Sequence, residues 1–293
     1  MRLIVPQPPG GGFDMVARTV SEPLAALLGQ SVIVENRPGG GTVIGTDAVA
    51  KAEPDGYTML LGASANLAFT PGLYANLPYD PKRDFIPIGL AATFSYTLVA
   101  RNDLPPRTLA DIVGYARANP AKLNYASAGN GTGQHICAAL LWHLAGVSLT
   151  HVPYKGAQAV YQDLIPGRVD LFCDASSTAR VQLDAGRVRA IAVSAPVRLA
   201  YHPEVPTVRE TGVLDFEMES WAGYFVRRGT AAPIVARLRA DFDRVVADRE
   251  VATALEKRGA RPLRMAPREA EAFVAHEIDK WTQLMREARI TSD

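Results

Sequence analysis

The stretch that decides the fold class reads Leu3-Ile4-Val5-Pro6-Gln7-Pro8-Pro9-Gly10-Gly11-Gly12-Phe13-Asp14. Its first three residues predict a short buried strand. The apolar residues that follow, from Met15 to Leu27, have the spacing of a helix over about Phe13 to Leu28. A strand that leads through a glycine-rich turn directly into a helix is typical of α/β folds with parallel strands.

The same rhythm continues along the chain. A strand over Ser31–Glu35, a helix over Val43–Lys51 and a strand over Tyr57–Leu61 are predicted next. After Arg101 the alternation restarts, with helices over Leu109–Ala118, Gln134–Leu144 and Val160–Ile165 and strands over Leu123–Ala126, Leu149–Val152, Val169–Phe172 and Arg189–Val193. We therefore predict an α/β protein of two lobes, each a mainly parallel sheet flanked by helices.

Two apolar extended segments, Ser95–Ala100 and Trp221–Val226, are predicted to link the lobes. After the second come only predicted helices, over 233–247, 249–258 and 267–289. A tail of helices cannot build a parallel sheet of its own, so we expect it to cover the first lobe. Lobe 1 is then discontinuous, with residues 1–97 and 224–293, and lobe 2 spans residues 98–223. Such a two-strand hinge suits opening and closing around a ligand in a cleft.

The composition excludes several classes of protein. Lys and Arg number 31 against 30 Asp and Glu, which gives a net charge of +1, and no basic stripe is present, so we predict no nucleic-acid partner. The sequence contains no run of about eighteen apolar residues, so we predict no membrane span. Met1-Arg2 leads straight into the first strand, so on these grounds the protein is either cytoplasmic or has lost its export signal. Cys137 and Cys173 lie in apolar surroundings, which predicts buried free thiols or, in an oxidising compartment, a disulfide.

The first candidate site consists of Gly11, Gly12, Phe13 and Asp14. Glycines let a ligand approach the backbone closely, and the start of a helix carries roughly half a positive charge, which favours an anion. The alternative is that the glycines only make a tight turn and that Asp14 only complements the helix dipole.

The second candidate site has the same construction in the other lobe, where Ser127-Ala128-Gly129-Asn130-Gly131-Thr132-Gly133-Gln134-His135 joins a strand to a helix. If the lobes face each other, both helix starts can hold one carboxylate-bearing molecule. The loop lacks the GxGxxG and GK[ST] patterns of nucleotide sites. The residues predicted to contact the ligand here are Gly129, Asn130, Gly131, Thr132, Gly133 and His135, although a histidine at this position more often packs or caps.

Further candidates follow the ends of other predicted strands. Ala63 and Ser64 offer small side chains and a hydroxyl, or belong to an ordinary turn in which Ser64 or Asn66 caps the helix. Tyr154 could form a wall of the site. Asp174 could accept a hydrogen bond from a ligand amine, or cap the helix that follows it.

No catalytic constellation emerges from the sequence. There is no GxSxG elbow, and His135 and His151 have no carboxylate partner nearby in the chain. The five histidines and two cysteines do not have the spacing of metal ligands. We therefore predict a protein that is not an enzyme and uses neither a cofactor nor a metal ion.

The chain resembles the Bug-type (TctC-like) periplasmic solute-binding receptors of tripartite tricarboxylate transporters. The resemblance covers nearly the whole chain and rests on the following motifs: Pro9-Gly10-Gly11-Gly12-Phe13-Asp14, Val34-Glu35-Asn36-Arg37-Pro38-Gly39, Pro54-Asp55-Gly56-Tyr57-Thr58, His151-Val152-Pro153-Tyr154-Lys155-Gly156, Gly167-Arg168-Val169-Asp170, Pro203-Glu204-Val205-Pro206-Thr207 and Trp221-Ala222-Gly223.

The resemblance implies a type II periplasmic-binding-protein fold, export to the periplasm, a monomer, and delivery of a small carboxylate to membrane permease subunits. The expected ligands are di- or tricarboxylates, acidic amino acids or aromatic acids. They would be held by main-chain amides and small side chains of Gly11–Asp14 and Gly129–His135, with Ala63, Ser64 and Asp174 nearby and with bridging waters. The chain departs from the family in its missing leader and in Phe13, which could line the pocket or anchor the helix. A signalling receptor and, less favoured, an enzyme on the same scaffold are the alternatives.

Overall fold

Strands and helices alternate along the chain as the sequence predicts. The structure, a computed structural model, describes residues 1–288 and 290. The strands are β1 (Arg2–Val5), β2 (Ile33–Asn36), β3 (Thr58–Ala63), β4 (Phe85–Ala100), β5 (Asn124–Ser127), β6 (Thr150–Pro153), β7 (Leu171–Ala175), β8 (Arg189–Val193), β9 (Glu219–Arg227) and β10 (Arg261–Pro262).

The α-helices are α1 (Gly12–Leu28), α2 (Val43–Ala50), α3 (Thr70–Leu73), α4 (Leu109–Ala118), α5 (Gly133–Leu144), α6 (Ala157–Leu164), α7 (Ser176–Asp184), α8 (Ala232–Val246), α9 (Arg249–Lys257) and α10 (Pro267–Glu287). A π-helix over Ser64–Phe69 and 3₁₀ turns at Gly40–Thr42 and Arg209–Thr211 complete the described elements. No helix of the described residues is long and apolar enough to cross a bilayer.

The chain divides into two compact units. Unit 1 contains Met1–Thr93 and the described residues from Ser220 onward, and unit 2 contains Phe94–Glu219. The chain passes from unit 1 to unit 2 within β4 and returns within β9. The structure thus divides the chain after residues 93 and 219, whereas the sequence places these boundaries after residues 97 and 223.

Unit 1 is built on a parallel core of three strands. β1 lies between β2 and β3 and runs parallel to both, with Arg2 opposite Ile33 on one side and Thr58 on the other. β9 then adds antiparallel to β3, and the two-residue β10 adds antiparallel to β4. The prediction that only helices follow residue 226 is therefore wrong, because β10 is too short to carry a periodic pattern.

Helices from both parts of the chain cover the sheet of unit 1. α1 ends at Leu28 and is followed by the C-cap Gly29, whose φ of 63° is left-handed. The hydroxyl of Tyr224 on β9 donates to the carbonyl of Ala17 on α1 at 2.9 Å. The Phe69 and Trp281 rings meet edge to face at 5.4 Å, so α10 packs on the π-helix. The helical end predicted at Arg289 lies outside the described residues, as do residues 291–293 of the predicted lobe 1.

Unit 2 repeats this plan. β5 lies between β6 and β7 and is parallel to both, while β4 pairs antiparallel with β7 and β8. Val99, Phe172 and Val160 belong to one buried apolar cluster that joins the sheet to α6 and α7. The helix α4 begins with a capping box in which Thr108 Oγ1 accepts the Asp111 N–H at 3.1 Å. The α/β fold of two units is thus confirmed.

Candidate functional site

In unit 1, three segments leave the sheet at the same edge. Because β1, β2 and β3 are parallel, their carboxyl ends lie side by side, and ligands of open α/β sheets bind outside this edge. Here β1 leads into the loop before α1, β2 leads into Gly39–Thr42, and β3 leads into Ala63 and Ser64. The structure therefore brings together the predicted site residues of this unit.

The glycine loop before α1 presents backbone to solvent. Gly10, Gly11 and Gly12 are exposed, and Gly10 has a φ of 84°, which is strained for residues with a side chain. Gly11 is the N-cap of α1 and provides no side chain to cap the helix. Amides of the first turn of a helix have no intrahelical acceptor, so this end suits an anion. Phe13 is half-buried beside it.

Asp14 holds this loop in place. Its Oδ2 accepts the Gly10 N–H at 2.9 Å and the Arg18 Nε–H at 3.0 Å, and its Oδ1 accepts the Asn36 Nδ2–H at 3.0 Å. Asn36 also donates to the Gln7 carbonyl at 3.1 Å. Burial raises the pKa of Asp14, but these hydrogen bonds lower it by more, so the net pKa lies below the ordinary 3.8. Asp14 is 4% exposed, and its two oxygens are engaged within the unit.

Ala63 and Ser64 lie at the end of β3 and are buried. Ser64 Oγ accepts the Trp221 N–H at 2.8 Å and so ties β9 to the start of the π-helix. The side chain of Asn66 accepts the Ala63 N–H at 2.8 Å, which confirms the capping interpretation for Asn66. Both side chains thus support the strand end.

In unit 2, three helices begin at the carboxyl-terminal edge of the parallel strands. β5, β6 and β7 are parallel, and they lead into α5, α6 and α7 respectively. The predicted residues Gly129–His135, Tyr154 and Asp174 all lie at this edge. Their grouping follows from the parallel pairing.

The loop between β5 and α5 is held by its own hydrogen bonds. Thr132 is the N-cap: its Oγ1 accepts the His135 N–H at 3.3 Å and donates to the Gly129 carbonyl at 2.7 Å. Gly129 and Gly131 have φ values of 133° and 74°, which favour glycine at both positions. Asn130 is exposed at the tip of the loop.

The first residue of α5 has no room for a side chain. A Cβ on Gly133 would lie 1.8 Å from the hydroxyl oxygen of Tyr96 on β4. Glycine at this position therefore allows Tyr96 to pack directly against the start of the helix.

A stack of three rings lies under this loop. The imidazole rings of His135 and His151 stack nearly parallel with their centroids 4.3 Å apart, and the Tyr125 ring stacks on His151 at 4.9 Å. His135 Nδ1 accepts the Gly131 N–H at 3.3 Å, while His151 Nε2 lies 2.8 Å from Ser127 Oγ. Burial and the nearby His151 lower the pKa of His135 to about 4, and burial lowers that of His151 as well. Both rings are therefore neutral at pH 7.

Tyr154 is fixed at the rim of this edge. Its N–H donates to the Ser127 carbonyl at 3.0 Å, and its hydroxyl donates to Asp163 Oδ2 at 2.8 Å. Burial and the bond to Asp163 raise the pKa of Tyr154 to about 12. The ring is half-buried, so it leaves part of its surface open at the strand edge.

Asp174 is fully buried at the end of β7. Its carboxyl accepts the Tyr161 hydroxyl at 2.7 Å, the Ala175 N–H at 2.8 Å and, at 3.5 Å, the Gln134 amide. Burial raises the pKa of Asp174 to about 7, and these hydrogen bonds offset only part of that effect. The carboxyl therefore joins β7 to α5 and α6.

Neither glycine loop contains a basic side chain, because residues 8–14 and 127–135 include no Lys or Arg. Within the described residues, no three His, Cys, Asp or Glu side chains are grouped as metal ligands. Cys137 on α5 and Cys173 on β7 are free and buried, and burial raises the pKa of the Cys173 thiol. An anion at these loops would rely on backbone amides.

Sequence reasoning missed the residues that support the loops. In unit 1, Arg18 and Asn36 donate hydrogen bonds to Asp14. In unit 2, Tyr125 stacks on His151, and the Ser127 hydroxyl forms a hydrogen bond with the same ring. The position of Arg18, four residues after Asp14 on one helix, was a signal that could have identified it.

Two compact α/β units that each present a glycine loop at a helix start are what the resemblance to solute-binding proteins with the type II periplasmic fold implies. The family described as tripartite tricarboxylate transporter family receptor matches residues 16–290. The chain belongs to this family, which confirms the resemblance found in its motifs. It is 40% identical over 291 residues to the UPF0065 protein of the tcbD–tcbE intergenic region of Pseudomonas sp. strain P51, covering 99% of this chain and 86% of that protein.

Solved structures agree with this assignment. The periplasmic binding protein BugD is 35% identical with a TM-score of 0.87, and the match covers 99% of this chain and 97% of BugD. Rpa4515 of R. palustris, solved with adipate, is 33% identical with a TM-score of 0.89 and coverage of 99% and 97%. MatC of Rhodopseudomonas palustris, solved with malate, is 35% identical with a TM-score of 0.87 and coverage of 97% and 98%.

Proposed function

We propose that this protein is a periplasmic receptor that captures a small carboxylate and delivers it to a membrane permease. The loops at Gly11–Asp14 and Gly129–His135, one from each unit, would close on the ligand by a hinge motion at β4 and β9. The observation that carries the proposal is the repeated strand, glycine loop and helix start, in which neither loop has a lysine or arginine and each helix start offers backbone amides. Relatives of the same family hold adipate and malate.

The side chains of the two loops serve mainly to shape the backbone. Asp14 fixes Gly10, Thr132 fixes Gly129, and His135 fixes Gly131. A backbone that is already held in place loses less conformational entropy when a ligand binds. We therefore assign ligand contact chiefly to Gly11, Gly12 and residues 129–133, and loop support to Asp14 and His135. Phe13 and Tyr154 would contact the carbon chain of the ligand.

The pairing of Ser127 and His151 does not favour an enzyme. Their 2.8 Å contact is within the range of a nucleophile and its base. Ser127 is fully buried, however, and its Oγ also accepts the Gly129 N–H at 3.2 Å. Among the described residues, the side chains in contact with His151 are Ser127, Tyr125 and His135, and none of them is acidic. Ser127 therefore supports the loop, and we propose a receptor without turnover and without a cofactor.

A thermal-shift screen tests the proposal. The protein is unfolded and refolded to strip copurified ligand, then heated with malate, adipate, citrate, glutamate and benzoate, each paired with its uncharged amide. A ligand that binds only the folded protein raises the melting temperature with concentration. We expect a shift with one class of acid and none with its amide. Equal shifts with acid and amide, or shifts only with uncharged solutes, would contradict the proposal.

A further inference from the structure

The Gly131 N–H has an unusual acceptor. It donates to Nδ1 of His135, a side chain of the helix that the loop precedes, at 3.3 Å. This bond requires an unprotonated Nδ1, because a protonated Nδ1 is itself a donor. The neutral ring must then carry its proton on Nε2. The conformation of the loop tip thus depends on the protonation state of one imidazole.

The surroundings of this imidazole oppose its protonation. His135 is 7% exposed, so a charge there would be poorly solvated. His151 stacks on it at 4.3 Å, so a second charge would lie directly against the first. The other face of His151 is covered by Tyr125, and its Nε2 meets the Ser127 hydroxyl. In the described part of the chain, none of the groups that contact either imidazole is a carboxylate that could stabilise a charge.

We propose that His135 is a positioning residue whose neutral form holds the ligand loop, so that acidification releases the loop and weakens ligand binding. Protonation at Nδ1 would break the Gly131 bond and drive the two rings apart. The loop would then lose the preorganisation that its amides need. The predicted change in ligand affinity rests on the proposed function. The predicted change in the loop does not.

The burial of the pair agrees with this proposal. The pKa of His135 is about 4 against an ordinary 6.5, so the folded chain resists protonation until the pH is well below neutral. A histidine with a lowered pKa stabilises the folded form fully above pH 6.5 and loses this contribution as the pH falls toward 4. Ligand binding involves the folded chain alone, so its response should appear near and below pH 4.

The binding test compares affinities for malate by calorimetry at about pH 7 and at about pH 3.5, which lies below the pKa of His135. The variant His135→Asn places a side-chain amide oxygen, which does not titrate, where Nδ1 accepts the Gly131 N–H. His135→Leu removes the acceptor, and His143→Asn, an exposed histidine of the same helix, is the matched control. Circular dichroism confirms that each variant is folded at both values.

We expect wild type and His143→Asn to lose up to about fourfold more affinity on acidification than His135→Asn, because a ring with a pKa of about 4 is mostly protonated at about pH 3.5. His135→Leu should bind more weakly at both values, and His135→Asn should recover most of this loss at pH 7. The titration of malate itself is common to all four proteins. Identical pH profiles for wild type and His135→Asn would overturn the proposal.

A second readout needs no ligand. Hydrogen exchange of the Gly131 amide, followed by NMR in the ligand-free protein, should accelerate from about pH 6.5 to pH 4 relative to His135→Asn once intrinsic exchange rates are removed. An unchanged ratio across this range would overturn the role of His135. If no carboxylate binds at pH 7, the proposed function fails, and the exchange result alone decides the proposal for His135.

Discussion

The Asp14 carboxylate accepts the backbone N–H of Gly10 at 2.9 Å, so a side chain in the first turn of α1 holds the loop that precedes the helix. The same carboxylate binds Arg18 and Asn36, which lie on the helix and on the neighbouring strand. One buried residue therefore connects the loop, the helix and the neighbouring strand at this edge of the sheet of unit 1.

Replacing Asp14 by Ala should weaken ligand binding without removing a ligand contact. The change leaves the Gly10 N–H without its acceptor and removes one of the two acceptors of Asn36 Nδ2, which should lower the free energy of unfolding by roughly 1.5–3 kcal/mol. The loosened loop should reduce affinity on the order of tenfold. Calorimetry and urea unfolding measure the two effects. Asp215→Ala, which breaks an exposed ion pair with Arg209, should change neither quantity appreciably. Unchanged affinity in Asp14→Ala would show that Asp14 does not shape the site.

Gly133→Ala should disrupt the start of α5, because its Cβ would overlap the Tyr96 hydroxyl. We expect a loss of about 1–3 kcal/mol in the free energy of unfolding and weaker binding. The matched control is Gly114→Ala in the interior of α4, where nothing lies within 4 Å of the added atom. The free energy of unfolding of that variant should rise by roughly 0.5–1 kcal/mol. If Tyr96→Phe does not recover part of the loss in the double variant, overlap with the Tyr96 hydroxyl is not the cause.

Ser64→Ala should reduce stability, because the buried Trp221 N–H would lose its acceptor. An unsatisfied buried donor costs about 1–3 kcal/mol. Thermal unfolding measures this, with the exposed Ser31→Ala as the comparison. A melting temperature equal to wild type would mean that water replaces Ser64.

Asp174→Asn should change how stability depends on pH. The folded carboxyl has a pKa of about 7 against an ordinary 3.8, so the folded chain binds a proton more tightly than the unfolded chain in this range. Ionised Asp174 therefore costs stability increasingly as the pH rises from about 4 to 7. Across this window the free energy of unfolding of the variant should rise relative to that of wild type, by about 1.4 kcal/mol for each pKa unit of the shift. Parallel stability curves for the two proteins would contradict the raised pKa.

The sequence was sufficient to predict both glycine loops, since a strand, a glycine run and a helix start are local features. It also placed Asp14 in the first candidate site, four residues after the Gly10 whose N–H its side chain accepts. The ring stack was not predictable in this way. Tyr125 and His151 meet because they are register partners on β5 and β6, and that register depends on tertiary pairing.

The support of Ser64 was missed for a similar reason. Its partner Trp221 lies 157 residues away in the sequence and reaches it only because β9 pairs with β3. Local propensity contains no signal for such a contact.

The central claim is that backbone amides of both glycine loops bind one carboxylate. The most direct measurement is a ¹H–¹⁵N NMR titration of the stripped protein with the acid selected by the thermal-shift screen, and with its uncharged amide as the control. We predict that the acid, at saturating concentration, shifts the amide resonances of Gly11–Gly12 and of Gly129–Gly133 together, with one shared dissociation constant. Shifts confined to residues outside both loops, or in only one loop, would contradict the account.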